Sequence, residues 1–211
     1  MTPKEKARKL QAETILNHLE KRGMEGHYFD TSAECVSYIL SRMPKGSSVS
    51  WGGSMTFIET GMKDAVANGD YSLIDRAAAK TPEESRSIYA QTVMADYYFM
   101  STNAITMNGE LINIDGNGNR LACLMQGPSN VMIITGLNKV TSDIESGIRR
   151  VKDISCPANT ARLSKDTPCS HTGFCGDCLS PDCICSHTVI TRRSGTPGRI
   201  KVFLINEDLG Y

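Results

Sequence analysis

The stretch Val131-Met132-Ile133-Ile134-Thr135 runs directly into Gly136-Leu137-Asn138-Lys139. A continuous apolar run rich in β-branched residues is typical of a strand that is buried on both faces, as in parallel sheets. Polar residues that directly follow such a strand lie where open α/β sheets bind ligands. The stretch therefore predicts a buried parallel strand, and Asn138 and Lys139 become candidate ligand-binding residues.

Strand-like and helix-like segments alternate on both sides of this run. Apolar spacing and capping residues predict helices over 4–22 (ending at Gly23), 33–43, from Met55 onward, 82–94 and 141–154. Thr31 or Ser32 should cap the second helix, and Thr81 should cap the helix that begins at Pro82. Predicted strands cover 27–29, 47–51, 97–101, 110–115, 188–192 and 200–205. This alternation favours α/β layers over a helical bundle or a β-sandwich.

Charge and hydropathy exclude several classes of protein. The 211 residues contain 23 Lys plus Arg and 23 Asp plus Glu, so we expect no general attraction to nucleic acid or to an anionic membrane. No stretch approaches the roughly 20 apolar residues that cross a bilayer, and the charged N-terminal segment lacks the apolar centre of a signal peptide. We therefore expect a cytoplasmic protein with reduced thiols. The Asp75-Arg76 pair and Arg149, Arg150 and Lys152 are expected to be surface charges.

Five of the eight cysteines fall between residues 169 and 185. The spacing is Cys169-x5-Cys175-x2-Cys178-x6-Cys185, in which a Cys-x-x-Cys pair supplies two thiolates from one turn and two flanking cysteines complete the set. Four thiolates suit zinc or an iron–sulfur cluster. The segment has no second Cys-x-x-Cys pair of the kind found in zinc ribbons, which favours a 4Fe–4S cluster.

Other interpretations of the cysteine segment stay open. Cys183 could replace Cys185 as a ligand, and the thiols could carry no metal at all. His171 and His187 lie beside the segment in sequence and are further candidate ligands. The remaining cysteines (Cys35, Cys123 and Cys156) are isolated in sequence and are expected to be small buried residues.

A glycine turn between a predicted strand and a predicted helix is the second candidate site. Gly52 and Gly53 leave backbone amides unobstructed, and Ser54 and Thr56 supply hydroxyl groups. Such a turn favours a phosphate or carboxylate, although a plain strand-to-helix turn explains it equally well. It matches neither a Walker loop nor a dinucleotide-binding fingerprint. Glu59 follows one helical turn later as a candidate acid–base residue.

A third candidate site follows the strand predicted over 110–115. The string Asp115-Gly116-Asn117-Gly118-Asn119-Arg120 combines turn formers with a carboxylate, amides and a guanidinium. Plain turn chemistry needs only Gly and Asn, so the additional charges indicate a ligand site. The candidate ligand-binding residues of this region are Asn103, Asp115, Gly116, Gly118, Asn119 and Arg120.

Together these stretches resemble the lactate-utilization (LUD) domain family. The resemblance rests on motifs that occur in the right order over nearly the whole chain: Gly52-Gly53-Ser54 with Glu59, residues 101–106, residues 113–120, residues 135–139, Thr167-Pro168-Cys169 with Cys175, Cys178 and Cys185, and residues 199–205. The pattern has a non-cysteine residue at the position of Cys183. The resemblance therefore favours Cys185 as the fourth ligand.

The resemblance implies a three-layer α/β fold with a mostly parallel sheet, like that of CoA-transferases and ribose-5-phosphate isomerase, with a small C-terminal cysteine-rich segment. It divides the chain into an N-terminal helical segment (1–30), a LUD core (31–155), a cysteine-rich segment (156–187) and C-terminal strands that return to the core (188–211).

The resemblance also implies a link to the oxidation of L-lactate to pyruvate by iron–sulfur proteins that work together. No flavin or nicotinamide motif is visible, so we expect an accessory or electron-transfer component that acts with other lactate-utilization or iron–sulfur proteins and binds a small carboxylate or phosphate. A stand-alone enzyme or a sensor for a phosphorylated or carboxylated metabolite, with structural zinc, is the alternative. The sequence leaves open whether the chain forms a homodimer.

Overall fold

The structure is a computed structural model that describes residues 2–211. Helices and strands alternate through most of the chain. The helices are α1 (Pro3–Lys21), α2 (Ser32–Leu40), α3 (Met55–Glu59), α4 (Met62–Ala67), α5 (Pro82–Val93), α6 (Asn119–Met125), α7 (Ile144–Arg150), α8 (Cys156–Arg162) and α9 (Pro168–Thr172). The strands are β1 (Glu25–Phe29), β2 (Ser48–Trp51), β3 (Ser72–Ile74), β4 (Tyr97–Met100), β5 (Ala104–Thr106), β6 (Leu111–Asp115), β7 (Asn130–Gly136), β8 (Val140–Thr141), β9 (His187–Thr191) and β10 (Ile200–Ile205).

A six-stranded parallel sheet forms the centre of the fold, in the order β1-β10-β7-β4-β2-β3. The run Val131–Thr135 lies in β7, which pairs in parallel with β10 on one side and β4 on the other. The predicted α/β architecture with a mostly parallel sheet is confirmed. The last strand, β10, inserts between β1 and β7, so the C-terminal part of the chain completes the centre of the sheet.

Side chains of the central strands alternate between two apolar cores, because neighbouring residues of a strand face opposite sides of a sheet. Val131 and Ile133 pack in the core beneath α1 and α6, whereas Met132 and Ile134 pack in the core beneath α2, α3 and α4. β10 shows the same alternation, with Val202 and Leu204 in the first core and Phe203 and Ile205 in the second. Helices therefore cover both faces of the sheet, which makes three layers.

The predicted helix ends are confirmed where the capping chemistry is strong. Thr31 caps α2 with a reciprocal capping box to Glu34, and Thr81 caps α5, whose first residue is Pro82. α1 ends just before Gly23, which has the positive φ of +67° that favours glycine after a helix. Local side-chain to backbone hydrogen bonds decide these boundaries, so a sequence can predict them.

Two predicted helices differ from those observed. The helix that begins at Met55 ends at Glu59 and restarts as α4 at Met62. The helix predicted over 141–154 begins at Ile144 and continues, through a π-helical turn at Val151–Ser155, into α8 up to Arg162. Pro157, two residues after the π turn, has no N–H to donate to the helical ladder.

A second, smaller sheet has the order β8-β5-β6-β9. β6 pairs antiparallel with both β5 and β9, so the strand predicted over 188–192 extends this sheet rather than the central one. β3, β5 and β8, which are two or three residues long, are not among the predicted strands. In residues 2–211 we find no helix with the length and apolarity needed to span a bilayer.

Candidate functional site

A cavity of about 530 Å³ opens at the carboxyl ends of β2, β4, β6 and β7. Residues shortly after the ends of these strands line it: Gly53 and Ser54 after β2, Ser101 to Asn103 after β4, Gly116 and Asn117 after β6, and Lys139 three residues after β7. This is the edge at which open α/β sheets bind ligands. We refer to this cavity as the Lys139 pocket.

The Lys139 pocket brings together most of the candidate ligand-binding residues from three separate stretches. Eight of them line it: Gly53, Ser54, Asn103, Asp115, Gly116, Asn119, Arg120 and Lys139. The other four stand behind the wall or beside it: Gly52, Thr56, Gly118 and Asn138. The lining includes five basic side chains (Arg76, Arg120, Lys139, Arg162 and Lys165) but only two acidic ones, Asp115 and Asp182. This excess of positive charge favours an anionic ligand.

Lys139 is 3% exposed, although its side chain reaches the pocket. Its Nζ donates to Thr56 Oγ1 at 2.9 Å and to Ser101 Oγ at 3.1 Å. Burial lowers the pKa of Lys139 from 10.5 to about 7, with the charges of Arg150 and Arg120 acting in the same direction and Glu59 opposing them. The amine is therefore partly neutral near pH 7, which makes it a potential acid, base or nucleophile.

Arg120 holds the pocket wall together. Its Nη1 donates to Ser101 O and Asn113 Oδ1, its Nη2 donates to Asn103 Oδ1 and Ile114 O, and its Nε faces Asp115 Oδ2 at 3.3 Å. A guanidinium has five N–H donors, and all five are engaged here. Arg120 therefore contributes charge and shape to the pocket without a donor to spare for a ligand.

The conformation of the loop after β6 is explained by the residues that form it. Asp115 Oδ1 accepts the N–H groups of Asn117 and Gly118, both at 3.0 Å, which closes the turn. Gly118 has φ +76°, a conformation that glycine adopts readily. The loop thus presents Asp115 to Arg120 and starts α6.

The glycine turn after β2 is more enclosed than its sequence indicates. Gly52 is buried, its N–H donates to Phe99 O at 2.9 Å, and an added Cβ would stand 2.9 Å from Tyr98 Oη and 3.1 Å from Arg120 Cδ. Ser54 Oγ accepts from Phe57 N at 3.3 Å as the cap of α3. Gly52 therefore makes room for Arg120, and its amide is not free for an anion.

Glu59 and Asn138 contact the C-terminal segment 207–211. Glu59 is exposed, lies outside the pocket lining and accepts from Gly210 N at 2.6 Å. Asn138 accepts from Leu209 N at 3.1 Å and donates to the carbonyl oxygens of Leu209 and Gly210. Both residues thus hold the segment that places Gly210 and Tyr211 at the pocket.

The four candidate metal ligands lie in and after α9. Cys169 is buried, with Sγ 3.4 Å from Thr160 Oγ1 and 3.3 Å from Thr167 Oγ1, whereas Cys175, Cys178 and Cys185 are half-buried. Burial, and then the neighbouring thiols of Cys183, Cys175 and Cys178, together raise the pKa of Cys185 to about 11. Within residues 2–211, no three His, Cys, Asp or Glu side chains converge as a ready metal site.

Cys156 is buried as expected, but it is not isolated in space. It belongs to a small apolar cluster against which Cys185 packs. Its pKa is raised to about 12 by burial and then by Cys185, Cys175 and Cys169. The structure thus groups Cys156 with the cysteine segment, which the sequence spacing did not indicate.

The cysteine segment also forms one wall of the Lys139 pocket. Pro181, Asp182, Cys183 and Ile184 line the cavity. A Cβ added to Gly116 would stand 3.1 Å from Ile184 Cα, so the two loops are in close backbone contact. The candidate ligand pocket and the candidate metal segment are therefore adjacent.

Two arginines expected at the surface belong to the site. Arg76 is exposed, as expected, but it also lines the pocket, next to the side-chain amide of Asn119. Arg150 donates to Asn138 O, Asn103 O and Ser155 Oγ, which ties three pocket segments together. Arg149 is exposed, as expected, in an ion pair with Glu145.

The pocket lining also includes residues that were not among the predicted ligand-binding residues. Ser155 ends the π-helical turn, and Asn159 and Arg162 belong to α8. The polar spacing of 155, 159 and 162 on one helical face, at i, i+4 and i+7, is the pattern that could have identified them.

The chain matches the model of the LUD domain family over residues 12–205. Among solved structures, a DUF162 family protein from Deinococcus radiodurans is similar over 94% of this chain and 98% of its own, with a TM-score of 0.54 and 13% sequence identity. The delta subunit of eIF2B from Chaetomium thermophilum matches over 53% of this chain and 48% of its own, with a TM-score of 0.36 and 14% identity. No curated protein matches the sequence significantly. The Deinococcus structure supports the fold, and the match over nearly the whole length gives the family: this chain belongs to the LUD domain family.

Proposed function

We propose that this protein is an iron–sulfur-bearing accessory component of L-lactate oxidation to pyruvate, which holds a small carboxylate in the Lys139 pocket. The observation that carries the proposal is the shared wall: Ile184, one residue before Cys185, is in backbone contact with the Gly116 loop of the pocket. A carboxylate in the pocket would thus lie beside the segment that carries the cluster.

The chemistry of the donor set suits an iron–sulfur cluster. Cys169, Cys175, Cys178 and Cys185 are thiols without disulfide partners, and thiolates are the ligands of such clusters. Burial and then the neighbouring thiols raise the pKa of Cys185, and a bound cation would relieve this repulsion between thiolates. A bound cluster would supply one-electron transfer between the pocket and a partner protein.

The pocket fits a small anion because basic side chains surround hydroxyl and amide groups. Arg76, Arg162 and Lys165 belong to the more open part of the lining, with Lys139 and Arg120 deeper. A carboxylate or phosphate would gain charge-assisted hydrogen bonds there. Other lactate-utilization or iron–sulfur proteins are the partners we propose.

Anaerobic purification and reconstitution, followed by iron and acid-labile sulfide analysis and visible absorption, tests the proposal. We expect brown protein with iron and sulfide in equal amounts. Cys178→Ser and Cys185→Ser should lose the iron, and the matched control Cys183→Ser should keep it. Colourless protein without iron after reconstitution would refute the redox role.

A second candidate function is a stand-alone enzyme or sensor for a phosphorylated or carboxylated metabolite, with structural zinc at the cysteines. The observation that favours it is Lys139, whose lowered pKa and position in a polar pocket suit acid–base chemistry. Zinc in place of iron in the same elemental analysis would select this function. Turnover of such a metabolite that is lost in Lys139→Met, but kept in the exposed control Lys80→Met, would establish catalysis.

A further inference from the structure

We propose that Lys139 is a nucleophile that captures a 2-oxo acid as an imine between Nζ and the carbonyl carbon. The amine lies three residues after the central strand β7, between two hydroxyl groups, at the deep side of a cationic pocket.

The hydrogen bonds around Nζ leave one position of the nitrogen free. Thr56 Oγ1 donates its own proton to Leu209 O at 3.3 Å, and Ser101 Oγ donates to Thr102 O at 3.3 Å. Both hydroxyls therefore accept from Nζ. A neutral amine has two N–H groups and one lone pair, so these two contacts use both N–H groups and leave the lone pair for an electrophile.

The surroundings favour the neutral amine. Arg150 from α7 and Arg120 from α6 repel the ammonium form, and Glu59 from α3 opposes them, but its carboxylate is exposed and bound to Gly210 N. Burial and these charges lower the pKa of Lys139 to about 7, so a substantial share of the amine is neutral near pH 7. An ordinary lysine is about 0.04% neutral at that pH.

Lys139 and Gly210 both line the cavity that would hold the ligand. A Cβ at Gly210 would stand 3.1 Å from Nζ and 2.7 Å from Thr56 Oγ1, so a glycine is what lets the backbone pass this close to the amine. The cavity of about 530 Å³ is of the size that holds small-molecule ligands. Its basic lining would hold the carboxylate of a 2-oxo acid while the carbonyl carbon approaches Nζ.

The covalent step balances without an oxidant or reductant. The Nζ lone pair forms a bond to the carbonyl carbon, and the carbonyl π electrons move to the oxygen, which takes up a proton. The resulting carbinolamine loses one water molecule, made of that hydroxyl and a proton that leaves the nitrogen, to give the C=N bond. Hydrolysis reverses the reaction and releases the acid.

This inference rests on the proposed function for the class of ligand, since pyruvate is the 2-oxo acid formed from lactate. The reactivity of the amine does not depend on the cysteine segment. Iron analysis tests the proposed function and imine trapping tests the reactivity of Lys139, so a negative result in one experiment does not decide the other.

Trapping with cyanoborohydride at pH 7, followed by intact mass measurement and peptide mapping, tests the inference on the full chain. With pyruvate we expect one reduced adduct per chain, on the peptide that contains Lys139, and at least tenfold faster labelling there than at any exposed lysine. L-Lactate, which lacks a carbonyl, should give none. Lys80→Met should label like the wild type, and Lys139→Met should lose the adduct.

Two further outcomes separate this inference from the proposed function. If calorimetry shows pyruvate binding but Lys139 is labelled no faster than exposed lysines, imine capture is refuted while the proposed function stands. If pyruvate does not bind but glyceraldehyde 3-phosphate is trapped at Lys139, the nucleophile is supported and the 2-oxo acid is refuted. Because mapping is done on the wild-type protein, the test does not depend on the folding of a variant.

Discussion

At Arg120 one side chain satisfies acceptors from two segments of the chain: the stretch from Ser101 to Asn103 that follows β4, and the end of strand β6 from Asn113 to Asp115. Hydrogen bonds to a charged group are stronger than neutral ones, and unpaired buried acceptors are costly. The same residue lines the pocket, so its effects on stability and on ligand binding must be measured separately.

We predict that Arg120→Ala lowers the free energy of unfolding by about 3–5 kcal/mol, because removal of one partner leaves a largely buried carboxylate unpaired. Urea denaturation followed by circular dichroism measures the change. The exposed control Arg149→Ala, whose ion pair with Glu145 is open to solvent, should cost no more than about 0.5 kcal/mol. Equal losses in the two variants would contradict the structural role of Arg120.

Lys139 makes stability depend on pH in a defined direction. Its pKa is about 7 in the folded state and near 10.5 when unfolded, so between these values the unfolded chain binds more protons. Stability from this residue should therefore rise with pH in that window, by about 1.4 kcal/mol per pH unit. We predict that Lys139→Met removes this slope and that Lys80→Met keeps it. Identical slopes in wild type and Lys139→Met, from urea denaturation between pH 7 and pH 10, would show that Lys139 is charged when folded.

At the scale of elements, local chemistry explains what the sequence could predict. The helices α1, α2 and α5 begin at residues whose side chains cap them. The strands β7 and β10 are apolar runs whose alternate residues pack in two different cores. β3 and β5 are three residues long, and they exist because β2, β6 and β8 pair with them. Such pairing depends on tertiary contacts that no short window of sequence contains.

The candidate site, like the fold, contains some residues that the sequence could predict and others that it could not. Polar residues after strands identified Asn103, Asp115, Arg120 and Lys139, because strand ends in an α/β sheet converge on one edge. Arg76 was missed because it follows the unpredicted β3. The burial of Lys139 and its hydroxyl partners arises from segments more than 35 residues away in sequence, such as Ser101, whose separation from it is 38. Sequence position alone could not reveal that environment.

The prediction at the scale of elements concerns Gly136, the last residue of β7. A Cβ on Gly136 would stand 2.4 Å from Glu207 O and 2.8 Å from Leu209 N, which are backbone atoms that cannot rotate away. We predict that Gly136→Ala destabilises the protein by about 1–3 kcal/mol and weakens ligand binding, since segment 207–211 borders the pocket. Thermal unfolding and calorimetry measure both effects. Gly195→Ala is the control, because nothing lies within 4 Å of a Cβ added there, and it should change neither stability nor ligand binding. Wild-type stability and ligand binding in Gly136→Ala would contradict the close packing.

At the scale of the whole molecule, the central feature is the contact between two regions that the sequence keeps apart. The pocket is built from strand ends of the parallel sheet, and the cysteine segment, which includes α8 and α9, comes before the chain returns to the sheet as β10. The contact between Gly116 and Ile184 joins them. A ligand in the pocket should therefore influence a cluster at the cysteines, although no cysteine needs to touch the ligand.

Electron paramagnetic resonance of the anaerobically reconstituted and reduced protein, with and without saturating pyruvate, tests this claim most directly. We predict a cluster signal whose g values shift when pyruvate occupies the Lys139 pocket, and a smaller shift in Lys139→Met. Absence of a cluster signal, or a signal that stays unchanged while calorimetry shows that pyruvate is bound, would contradict the account.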